Sequence, residues 1–126
     1  MKLNKQNKNS DALLKNLPYA KKRLKEKLLA LNLSDLGISE YTQQYLQKKF
    51  KKIDGTLDLY DYILTLCFSD SQFSLNTAVF VDYGGGSGIL SYLAKEVGIG
   101  TVIYIDIYVQ SCNDTIKISK TLKLPI

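Results

Sequence analysis

Gly84, Gly85, Gly86 and Gly88 put four glycines within five residues, and no other feature constrains this chain as much. Such a cluster is costly in backbone entropy. It is explained where a chain turns sharply and another group must come close. What flanks it defines the turn. Ala78-Val79-Phe80-Val81 is a short apolar run ending in Asp82, which predicts a buried parallel strand. Ile89, Leu90, Leu93, Ala94 and Val97 follow at helical spacing, and Gly98 suits the helix C-terminus. Thr101-Val102-Ile103-Tyr104-Ile105 is a second strand-forming run ending in Asp106, and residues 111–121 predict a further helix. Strand, glycine turn, helix, strand is the order of a right-handed βαβ unit.

A turn that opens a helix offers free N–H groups and a positive dipole end to a carboxylate or phosphate. A carboxylate closing the next strand can accept hydrogen bonds from a ribose diol, and Asp106 stands 18 residues after Gly88. The set suits a ligand containing adenosine. It is not a phosphate-binding P-loop, which needs a lysine directly after its glycines; the first here is Lys95. The dinucleotide fingerprint fits poorly, because its third glycine falls on Ile89 or Ser91. NAD-type binding therefore stays a secondary alternative.

Asp82, Tyr83, Gly84, Gly86 and Gly88 form an acid, one residue, and then Gly-x-Gly-x-Gly behind an apolar strand. This stretch, about residues 78–124, resembles motif I of the class I S-adenosylmethionine-dependent methyltransferases. The resemblance implies S-adenosylmethionine as cofactor and methyl transfer as the reaction. It implies that the backbone at Gly84, Gly86 and Gly88 passes against the methionine and ribose portions, with Asp82 near the methionine ammonium, and it counts Tyr83 and Ser87 among the cofactor-binding residues. Asp106 would hold the ribose hydroxyls, and Ile107-Tyr108 would lie against the adenine. Read without a ligand, Asp82 is a cap on the turn and Asp106 a loop-start carboxylate. The family fold is a seven-stranded Rossmann-like sheet, of which two strands are expected here. The chain reads as a truncated N-terminal portion whose own activity is in doubt. An incomplete sheet has an unpaired edge and open apolar faces, so self-association or a partner chain is expected.

The rest of the chain divides at about residue 75. Residues 1–75 read as a basic helical segment and 76–126 as the partial cofactor-binding domain. Residues 1–52 hold 13 Lys/Arg against 4 Asp/Glu, whereas residues 53–126 hold 4 against 8. The first nine residues look frayed. Ser10 or Asp11 is expected to cap a short helix ending before Pro18, which would open a second carrying Ala20, Leu24, Leu28 and Leu31. Ser39 is expected to cap a third helix, loaded at its end with Lys48, Lys49, Lys51 and Lys52. Asp54-Gly55 reads as a turn and residues 56–69 as a helix.

The first reading of this charge is a set of helices with solvated lysine-rich faces, because the lysines alternate with a regular apolar stripe. Its functional reading is attraction to something acidic, whether nucleic acid, a phosphorylated or acidic glycan, or a lipid surface; an acidic methyl acceptor is expected ahead of a nucleic acid. The other class of reading is a non-catalytic basic interaction module with a vestigial nucleotide fold. The absence of histidine excludes Ser-His-Asp and Cys-His catalysis. With only two cysteines, it also argues against a structural zinc site, and no metal is expected. Cys67 and Cys112 lack a CxxC spacing and read as buried or inert thiols. No apolar run is long enough to span a membrane, and a cytoplasmic location is expected. No side chain stands out as a catalytic base.

Overall fold

The computed structural model describes residues 8–69 and 74–126, so the expected frayed start falls mostly outside the described residues. The fold is mixed α/β. Helices α1 (Lys8–Leu29), α2 (Glu40–Phe50) and α3 (Ile53–Phe68) precede strand β1 (Val79–Tyr83), helix α4 (Ile89–Val97), strand β2 (Thr101–Ile105) and helix α5 (Val109–Leu122).

The two helices expected around Pro18 are one, and Ser10 and Asp11 lie inside it rather than ahead of it. Burial explains the correction. Leu13, Leu17, Ala20, Leu24 and Leu28 form an unbroken stripe with 1% exposure or less, each larger side chain contributing about 1.5–3 kcal/mol. An interior proline costs about 3 kcal/mol. Leu14, whose carbonyl loses its partner to Pro18, is on the exposed side, where water can replace the lost donor.

Ser39 caps α2 as expected, its Oγ accepting from the Thr42 N–H at 3.3 Å. Asp54-Gly55 does not interrupt the chain. Both residues fall in the first turn of α3, where Asp54 suits the helix dipole and Ile53 and Leu57 are buried.

β1 and β2 pair in parallel, with Val79 opposite Thr101, Val81 opposite Ile103 and Asp82 opposite Tyr104. Contrary to expectation, β1 is not buried on both faces. One face, carrying Asp82 and Val102, is covered. On the other, Val79, Val81, Tyr83, Ile103 and Ile105 are 39–82% exposed. Strand side chains alternate between faces, and no described element covers this second face. An alanine at Ile103 is accordingly expected to change unfolding free energy by no more than about 0.5 kcal/mol. A chemical-denaturation loss of several times that would mean the face is covered in solution.

α1 packs against both α3 and α4. Glu96 of α4 ties them further, accepting from Arg23 at 2.8 Å and Lys27 at 2.6 Å. The hydrophobic core runs without a break from Leu13 to Leu124. No described helix is long and apolar enough to cross a membrane.

Candidate functional site

The parallel register brings the ends of β1 and β2 together under the glycine turn. Gly84 and Gly85 both donate to the Ile105 carbonyl, at 2.8 and 3.0 Å, and Gly88 donates to Gly85 at 3.0 Å. Gly84, Gly86 and Gly88 have φ of 71°, 54° and 80°, a region that favours glycine. Around Gly84 there is open space, and the nearest atom to a side chain built at Gly86 is 4.0 Å away. Gly85 and Gly88 are instead hemmed in. A Cβ at Gly85 would lie 2.3 Å from the Tyr104 ring, and one at Gly88 would lie 2.8 Å from the Tyr92 hydroxyl. Half of the cluster is therefore explained by close packing, and half by a backbone shape that faces open space.

The two carboxylates have different surroundings. Asp82 is buried beneath the turn, where its Oδ2 accepts from Ser91 Oγ at 2.7 Å. Burial pushes its carboxyl above the usual carboxylate range, against the opposing pull of the Ser91 hydrogen bonds. Ser91 sits in the first turn of α4, so this bond ties Asp82 to the start of that helix.

Asp106 is half-buried. It accepts from the backbone N–H of Gly86 at 3.0 Å and of Tyr108 at 2.9 Å, joining the turn to the start of α5. Tyr104 stands between the carboxylates. Its hydroxyl donates to the Gly86 carbonyl at 2.6 Å, and burial pushes its pKa up to about 12. Tyr83, Ile107 and Tyr108 are open to solvent. Ser87 is buried, its Oγ 3.4 Å from the Ile89 N–H.

Asp82, Gly84, Gly86, Ser87, Gly88 and Asp106 thus converge on one turn, with Tyr83 and Ile107 at its rim. Ser91 and Tyr104 are participants that sequence reasoning missed. Strand alternation carried the signal for Tyr104: it shares a face with Asp106 two residues on, and the register sets it opposite Asp82. Behind it, a cavity of about 250 Å³ is lined by Val102, Tyr104, Cys112, Thr115 and Ile116, among others.

Both cysteines are free. Cys67 is exposed rather than buried, because it lies on the solvent side of α3, while Cys112 Sγ is 3.6 Å from the Asp106 carbonyl. Among the described residues, no group of three or more acids and cysteines could hold a metal ion.

Chemically, the arrangement offers an accessible carboxylate for a diol, open room over Gly84 and Gly86, and exposed apolar side chains for a flat ring. Comparison with protein-family models, with curated proteins and with solved structures gave no match.

Proposed function

We propose that the glycine turn binds the adenosyl part of S-adenosylmethionine and that the chain serves methyl transfer. The observation that carries this reading is the meeting of Asp106 with an open, positive-φ glycine backbone at Gly86, N···Oδ2 3.0 Å. The donor set fits an adenosyl group. Asp106 Oδ1 accepts one backbone N–H, and a carboxylate oxygen has room for another donor, such as a ribose hydroxyl. Gly84 and Gly86 leave space for the chain beyond the ribose. Ile107 and Tyr108 present apolar surface for the adenine. Asp82 fits less directly. It is enclosed and held by Ser91, so it acts on an ammonium through its charge or a bridging water.

An S-adenosyl sulfonium supplies an activated methyl group, and transfer is an in-line displacement. The protein's contribution is then mainly to fix the direction of approach. Tyr104 and Asp106 would hold the turn in shape by bonding Gly86 from both sides. No described side chain has the surroundings of a general base.

Calorimetric titration of the whole chain with S-adenosylmethionine and S-adenosylhomocysteine, with NAD and ATP as controls, tests the reading. Selective binding is expected for the two adenosyl ligands. Asp106→Ala should weaken it about tenfold or more, through loss of a charge-assisted hydrogen bond. Asp106→Asn, which can still accept from Gly86, should fall between. A folded chain that gives no heat with either adenosyl ligand would overturn the proposal.

A further inference from the structure

The ion pairs of the first half of the chain are unevenly placed. Four cations of α1 are paired internally, Lys21 with Asp58 and Asp61, Lys25 with Asp54, and Arg23 and Lys27 with Glu96, while Lys15 and Lys22 form no ion pair among the described residues. At the end of α2, Lys48, Lys49, Lys51 and Lys52 all form no ion pair among the described residues. The internal pairing leaves this end of α2 as a concentrated source of positive potential.

Aromatic rings lie along the same face. Tyr41 and Tyr45, one helical turn apart, stack with centroids 6.3 Å apart and planes within 11°. Lys49, a further turn on, places its ammonium 5.5 Å from the Tyr45 ring centre. α2 is held by its opposite side, where Thr42 and Leu46 are buried. Its outward side therefore shows Tyr41, Gln44, Tyr45 and Lys48 to solvent. Two open grooves flank these residues. One, of about 380 Å³, includes Tyr45, Lys49, Lys52 and Thr56 in its lining; the other, of about 450 Å³, includes Gln44 and Gln47.

We propose that this face of α2 binds single-stranded nucleic acid, with phosphates on the lysines and unpaired bases on the tyrosine rings. Exposed planar rings beside a positive groove are what an unstacked strand needs, whereas a duplex keeps its base faces covered. The face does not suit a lipid surface. A membrane-lying helix buries aliphatic and aromatic side chains, and no aliphatic residue of α2 is exposed. Gln44 and Gln47 add amides able to meet base edges. No residue of the glycine turn takes part, so the proposal stands apart from cofactor binding.

The test uses the full chain without adenosyl ligand and a labelled oligouridine of about 20 nucleotides, followed by fluorescence anisotropy across a salt series. Log affinity should fall against log salt with a slope of about −3, as for four phosphate contacts on a single strand. Replacing all four lysines by glutamine should flatten that slope. Tyr45→Ala should weaken binding about tenfold and Tyr45→Phe should restore it, because stacking needs the ring and not the hydroxyl. Tyr45, Lys48, Lys51 and Lys52 are exposed and Lys49 is half-buried, and unchanged thermal unfolding will show that the variants fold. Absence of binding at low salt overturns the proposal. So does affinity indifferent to Tyr45→Ala, or equal affinity for phosphatidylserine vesicles, which would mark a general anionic surface.

Discussion

Asp114→Ala is expected to destabilise the chain by about 4 kcal/mol, a large fraction of the stability of a domain this size. Asp114 is fully buried in the second turn of α5. Its carboxylate accepts from the Ser39 N–H at 3.2 Å, the Ser39 hydroxyl at 2.6 Å, the Thr42 hydroxyl at 2.6 Å and the Gln110 amide at 2.8 Å. These bonds dock the N-terminus of α2 onto α5. Removing the acceptor strands the buried Thr42 hydroxyl and the two half-buried Ser39 donors at once, which costs more than the bonds themselves contribute net. Urea unfolding followed by circular dichroism measures the loss. A loss below about 1 kcal/mol would mean that the network does not hold α2 in place.

The same group sets a pH dependence. Burial would raise the Asp114 carboxyl, but hydrogen bonds from Ser39, Thr42 and Gln110 outweigh it and hold it below the ordinary carboxylate range. A carboxyl lowered in the folded state contributes stability that is present above its unfolded value and lost as pH falls through its folded one. Glu96 behaves alike, with Lys27 and Arg23 outweighing the effect of burial. Asp82 works oppositely: its raised carboxyl removes stability as pH rises through the folded value. Stability should therefore fall on acidification below about pH 4, and Asp114→Asn should flatten that fall.

Gly100→Ala is expected to cost about 3 kcal/mol. The added Cβ would lie 1.9 Å from the Asn76 carbonyl oxygen and 2.6 Å from its carbon. These are backbone atoms with no rotamer to move aside. They are held there because Gly100 donates to the Leu75 carbonyl at 2.8 Å and Thr101 to Ala78 at 3.1 Å. The substitution must push the approach to β1 away from the start of β2, at the end of the sheet opposite the glycine turn. Thermal unfolding reads the effect directly. A melting temperature within a degree or two of the parent would show that residues 74–78 yield without loss.

Much of the C-terminal half was legible in the residues. β1, α4, β2 and α5 lie within a few residues of where apolar runs and glycines put them, because strand, turn and helix each follow from short-range pattern. Pro18 and Asp54-Gly55 misled for one reason. Both are local breaking signals, and both were overridden by buried stripes reaching beyond any local window, Leu13 to Leu28 in one case and Ile53 to Phe68 in the other. The open face of β1 was misread because four successive apolar residues do not say which faces will be covered.

By itself, the sequence determined the glycine turn, the two acids at the strand ends and the excess of positive charge in the first half, all properties of residue type and spacing. Only the tertiary structure decided how they are used. Parallel pairing set Asp106 against Gly86 and Tyr104 against Asp82, a consequence of register that no single strand encodes. Packing of α1 on α3 and α4 brought four of its cations within reach of Asp54, Asp58, Asp61 and Glu96. Which lysines remain free to meet a partner depends on those long-range ion pairs, because charge is counted along the chain but neutralised across space.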